Sequence, residues 1–237
     1  MRRIGSRSFW AKIVTVCIVG NSHAASLLKG YDLLADKDAL PWEFFVTPNG
    51  YADKAGMNAI AFDAKKGAFL DFPFHRSAQG ADLKIASYEA FVLVGAHFSV
   101  SRITGILRMD TSAAFRTAAI RDICQNTRLF RFASEIRALS DARILLSPSP
   151  SVTPQQRRAA RARPLSQADL DGTQAIVTAF WAEMGVELLP QPPETMDAQG
   201  LTREDCMISA ANMHYTPDAT AIALTTLCTA LAHPASA

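Results

Sequence analysis

The segment Lys12-Ile-Val-Thr-Val-Cys-Ile-Val19 runs directly into Gly20-Asn21-Ser22-His23. Alternate side chains of a strand point to opposite faces of its sheet, and here both sets are mostly apolar. Such a run suits a strand buried on both sides. The stretch from Ala24 to Leu34 then has helix-forming composition. Strand, tight turn and helix in that order make the opening unit of an α/β fold. The unit recurs along the chain. Trp42 to Thr47 reads as a second strand closed by Pro48-Asn49-Gly50, and Tyr88 to Gly95 as a third that again ends in glycine. Arg143 to Leu146, stopped by Ser147-Pro-Ser-Pro150, and Val186 to Leu189, stopped by Pro190, complete the set. Thr111 to Leu139 has the spacing of helices with a break near Asn126, and Gln174 to Met184 that of another helix. Thr216-Pro217-Asp218 opens a last one, with threonine as cap and proline in the first position. The alternation predicts a mostly parallel sheet covered by helices on both faces.

All 237 residues fit one domain, 1–237, with three departures from the repeating unit. Ala59 to Asp63 and Ala68 to Phe72 flank Ala64-Lys-Lys-Gly67, which predicts a hairpin insertion over 56–75. Residues 151–172 are polar and read as an excursion, and 194–213 as loop with a short helix. Hydrophobic residues are 49% and charged residues 19%, enough apolar material for a sizeable core and too much for global disorder. A net charge of +2 gives no electrostatic reason to expect a nucleic acid or an anionic membrane as partner. The basic run Arg157 to Arg163 reads either as a solvated helix face or as a site for an anion. Cys17, Cys124, Cys206 and Cys228 lack metal-ligand spacing and read as reduced thiols.

No stretch of about 18 apolar residues is present to suggest a membrane span. Arg2 and Arg3 followed by Ile13 to Val19 resemble a signal peptide, so export is one reading of the N-terminus. Against it, Lys12 interrupts the region and cleavage would remove the Gly20 to His23 turn. The expectation is therefore a core strand in a cytoplasmic protein.

In parallel sheets, ligands bind beyond the carboxyl ends of the strands. Three polar turns fall there: Asn21-Ser22-His23, Asn49-Gly50 and Ala96-His97. Ser22 has two readings. It caps the following helix, or its hydroxyl is a nucleophile at the sheet rim, with helix N–H groups ready for a developing oxyanion. The second requires a histidine to take the proton. His23 reads as a residue that packs or hydrogen-bonds locally.

Val19-Gly20-Asn21-Ser22-His23-Ala24 resembles the first block of SGNH (GDSL-like) serine hydrolases, in which a strand ends in Gly-Asp/Asn-Ser. Met213-His214-Tyr215-Thr216, before the last helix, resembles their histidine-bearing final block. Tyr88 to Gly95 matches the strand before their third block, and Asn49-Gly50 their glycine block. The resemblance spans nearly the whole chain in order and spacing, and its first motif is the specific one. It implies a three-layer α/β/α fold with a mostly parallel, flavodoxin-like sheet. It also implies a serine esterase that forms an acyl-enzyme on Ser22 with His214 as general base. The oxyanion hole would come from Ser22, Gly50 and His97, the last standing where the family has asparagine and reading equally as a satisfied histidine at a strand end. The substrate would be a small-molecule or glycan ester, an O-acetyl group being one case, with no cofactor and no metal. The family's aspartate three residues before the histidine is Ala211 here, which leaves Asn212 or Asp205 to orient the imidazole, or a serine–histidine dyad. An acyltransferase using the same serine and a binding protein that has lost the chemistry are the alternatives. Oligomeric state is left open by the sequence.

Overall fold

The first buried run forms β1 (Val16–Gly20), and all five of its residues are buried. The computed structural model describes residues 15–34, 37, 40–48, 56–95, 99–159, 165–209 and 212–232, so the expected strand start at Lys12 lies outside the described residues. From β1 the chain enters α1 (Ser22–Asp32) and returns through β2 (Trp42–Val46). Short antiparallel pieces follow: β3 (Phe62–Asp63), β4 (Ala68–Phe69), β5 (Phe74–Arg76) and β6 (Leu83–Lys84). Next come β7 (Ala90–Gly95), α2 (Val100–Ile103), α3 (Ala113–Gln125), α4 (Arg128–Leu139) and β8 (Arg143–Pro148). The chain continues through α5 (Pro154–Ala159), α6 (Gln167–Glu183), β9 (Val186–Leu188), β10 (Met207–Ser209), β11 (Asn212–Tyr215) and α7 (Pro217–Ala232).

The main sheet runs β5-β2-β1-β7-β8-β9. Five of its strands are parallel, and β5 closes one edge antiparallel to β2. Side-chain alternation explains why the strands read as continuous apolar runs. Val16 and Ile18 pack with Phe44, Val92, Leu145 and the α1 and α7 side chains Leu27 and Leu224. Cys17 and Val19 face the other layer, with Phe45, Phe91, Phe132 of α4 and Trp181 of α6. Each large side chain fully buried this way contributes roughly 1.5–3 kcal/mol. The result is an α/β fold with a mostly parallel sheet between two helical layers.

Local chemistry sets several boundaries. Near Asn126 the helices break as expected, because Thr127 Oγ1 accepts the Phe130 N–H at 3.2 Å and starts α4. α6 begins seven residues before Gln174, held by a capping box between Ser166 and Asp169. The polar excursion expected over 151–172 is therefore partly helical. The expected hairpin forms, β3 pairing antiparallel with β4, and the decoration is larger than 56–75: β6 completes a three-stranded sheet with them and β5 joins the main sheet. Within the expected 194–213 loop, β10 pairs with β11 as a hairpin. Cys17, Cys124, Cys206 and Cys228 are free thiols, the first three buried. Among the described residues no helix is long and apolar enough to cross a membrane.

Candidate active site

The connection after β1 leads to β2 on one side, while β7 pairs with β1 on the other. This reversal falls at the carboxyl ends of β1 and β7, the place where ligands bind in open α/β sheets. Glycines let the turn after β1 sit tightly there. A Cβ on Gly20 would stand 2.3 Å from the Val94 carbonyl oxygen. Gly95 has φ +79, and a Cβ there would stand 2.5 Å from Asn21 Oδ1 and 2.9 Å from His23 Cδ2.

Asn21, not Ser22, caps α1. Its Oδ1 accepts the His23 N–H at 3.1 Å, and its carbonyl accepts from Ala24 at 2.9 Å and Ala25 at 3.3 Å. The capping explanation for Ser22 therefore falls away. Ser22 is the first helical residue, half-buried, and its N–H is not among the amides Asn21 takes. The positive end of α1 lies under its side chain.

His214 comes from β11. Residues two apart on a strand share a face, so Asn212 stands beside it. Asn212 Oδ1 accepts the His214 backbone N–H at 3.1 Å and also hydrogen-bonds Nδ1 of the ring. A backbone N–H only donates, so the atom facing it is the amide oxygen. An oxygen without hydrogen only accepts, so Nδ1 carries the ring proton and Nε2 the lone pair. Nε2 is buried and has no hydrogen-bond partner. Burial pushes the His214 pKa below 6.5, and the Lys29 ammonium adds to the shift in the same direction. The ring is then neutral at pH 7, with its basic nitrogen unengaged.

His23 supports the other side of the ring. The two imidazole centroids are 4.7 Å apart at 32°. His214 is thus held in plane by Asn212 and face-on by His23, directly after Ser22 in the first turn of α1. The Ser22 hydroxyl does not donate to Nε2 in this structure. Catalytic hydrogen bonds often tighten only when substrate is present.

No family model, curated protein or solved structure matches this chain.

Among the residues singled out in the sequence, Ser22, Asn212 and His214 are brought to one rim. Asp205 is not a partner of His214: it sits in a 3-10 turn, exposed, with both carboxylate oxygens taken by Arg203. That guanidinium also lowers the Asp205 pKa. Gly50, His97 and Ala211 lie outside the described residues. Two rim hydroxyls escaped the sequence reading. Thr47, directly after β2, donates its N–H to the Gly20 carbonyl at 2.9 Å, and its Oγ1 is buried without a partner. Ser149, directly after β8, is 7% exposed and its Oγ likewise has no partner. Both stand as the first polar residues past buried strands, a signal diluted by the turn chemistry around them. Among the described residues no group of three or more His, Cys, Asp or Glu side chains converges as a metal site would.

Proposed function

We propose that this chain is a serine esterase of the SGNH type that hydrolyses a small acyl ester. The reading rests above all on His214, a neutral imidazole whose tautomer is set by Asn212 and whose buried Nε2 has no hydrogen-bond partner in the protein. A general base needs that combination of protonation state and free lone pair. Ser22 supplies the nucleophile: its Oγ bonds to the ester carbonyl carbon as its proton passes to Nε2. The carbon–oxygen bond to the alcohol then breaks, and His214 returns the proton to the departing oxygen. Water repeats the sequence on the acyl-enzyme, regenerating Ser22. Asn212 takes the orienting role of an aspartate, without its charge, as asparagine does in some cysteine proteases.

Ser22→Ala tests the reading: turnover of a short-chain aryl ester should fall by three orders of magnitude or more, roughly the scale of losing a serine nucleophile. Unchanged turnover would end it.

One observation favours a second reading. Because Ser22 does not donate to Nε2, the same fold serves equally as a binding protein that has lost its chemistry. Under that reading neither protein form turns over an ester.

A further inference from the structure

A histidine that takes the proton of a serine becomes positively charged, and in serine triads an aspartate stabilises that charge. Here His214 Nδ1 faces the amide oxygen of Asn212, which accepts the hydrogen bond but carries no charge. Asp205 is held by Arg203. The Lys29 ammonium acts against a positive His214. What the imidazole does have is the ring of His23, with centroids 4.7 Å apart and planes inclined at 32°. A cation within ~6 Å of an aromatic face is attracted to it. The backbone is built for this approach. Gly95, at the end of β7 with φ +79, leaves the space that the His23 side chain occupies: a Cβ there would stand 2.9 Å from His23 Cδ2 and 3.1 Å from His23 Cβ. His23 is the second residue of α1, and Asn21 Oδ1 accepts its N–H at 3.1 Å, so its place in the turn is fixed.

We propose that His23 is a positioning residue: its ring face steadies His214 and stabilises the imidazolium that forms there, in place of the charge that Asn212 lacks. The proposal rests on the esterase reading. The proton passes from Ser22 Oγ to His214 Nε2 and on to the departing alcohol oxygen, and His23 neither takes nor gives it. Two positive rings at this separation would repel, so His23 serves in its neutral form. Its contribution arises only once charge has developed on His214, so it bears on kcat and not on KM.

The test compares His23→Leu with His23→Phe in the full chain. Both remove the imidazole nitrogens, so the difference between them reads the ring face alone. On a short-chain aryl ester, His23→Leu should lose about tenfold in kcat with KM little changed, the scale of a desolvated cation over a ring. His23→Phe should stay within about threefold of the wild type. Equal losses in the two variants, or full kcat in His23→Leu, would overturn the proposal. A second readout needs no turnover: the titration of His214, followed by NMR in a Ser22→Ala background. His214 should hold its proton about tenfold more weakly in His23→Leu than in His23→Phe, with Lys29 and Asn212 the same in both. Equal affinities, or the reverse order, would also overturn it. Should either variant fail to fold, His23→Met and His23→Tyr form a second pair with the same expected order. A wild type that turns over no ester, with the titration in the expected order, would overturn the esterase reading and with it the catalytic use of His23. The support of a positive His214 by that ring would then stand alone.

Discussion

At the amino-terminal rim of the sheet, Glu43 accepts from Tyr88 Oη at 2.6 Å, from the Ala78 N–H at 3.2 Å and from the Ser77 hydroxyl. Nearby, Arg143 grips both oxygens of Glu187 at 2.6 Å and donates to the Ala230 carbonyl at 2.7 Å. Burial pushes the Cys17 thiol and the Tyr88 phenol up, so both stay neutral in this setting. At the carboxyl-terminal rim, Thr47 Oγ1, Ser149 Oγ and His214 Nε2 are each buried with no partner. An unsatisfied buried polar atom costs roughly 1–3 kcal/mol. The amino-terminal end spends nearly all of these groups on holding the fold, Arg137 Nε beside Ala142 and Gly185 being left without a partner there, while the other end keeps three unengaged. That difference, more than any single motif, points to the carboxyl-terminal rim as the place for a ligand.

The largest expected effect comes from the satisfied rim. Glu43→Ala strands the Tyr88 hydroxyl and should cost about 3 kcal/mol in urea denaturation, since hydrogen bonds to charged groups run higher than neutral ones. Ester turnover per folded molecule should not change. A cost below about 0.5 kcal/mol, the ordinary surface range, would break the comparison at its structural end.

At the other rim, Asn212→Ala frees the His214 ring and its tautomer. A drop in kcat of about 10- to 100-fold with little change in KM is expected, less than removal of a charged triad partner costs. Full activity would mean that Asn212 does not orient the base. Smaller still are Thr47→Val and Ser149→Ala. Neither breaks a hydrogen bond within the protein, so melting temperatures should hold or rise, by up to about 1 kcal/mol of stability. A clear loss in either would show that the hydroxyl is already used.

The smallest effect is electrostatic. His214 must be neutral to accept a proton, so kcat/KM should rise with pH along a limb below pH 6.5. Lys29→Met removes a cation that lowers this pKa, so the limb should move to higher pH in a pH–rate profile. The same shift bears on stability: the unfolded chain takes the proton first, so this histidine's contribution is complete above 6.5 and fades as pH falls below it. A limb moving downward would reverse the assigned sign.

Much of this was legible in the sequence, for physical reasons that differ by element. The parallel strands are buried on both faces, so Val16 to Gly20 and Ala90 to Gly95 read as unbroken apolar runs. α6 was read short because Gln167 to Gly172 is polar, although Ser166 and Asp169 carried a capping-box signal. The hairpin of β10 and β11 reads as loop in the sequence because its strands are three and four residues long and only partly buried. In the site, Asn212 stands in the sequence only as the residue two before His214; that the two share a face follows from β11, which the sequence reads as loop. Its competitor Asp205 was not separable from it until Arg203 was seen to hold both carboxylate oxygens. The contact between His23 and His214 joins residues far apart in the chain and left no local signal.

The most direct test of the central claim is intact mass after incubation with a fluorophosphonate, comparing wild type with Ser22→Ala. The account predicts one adduct on the wild type and none on the variant, since only a serine activated by a neutral histidine attacks phosphorus at a useful rate. No adduct on the wild type, or equal labelling of both proteins, would contradict it.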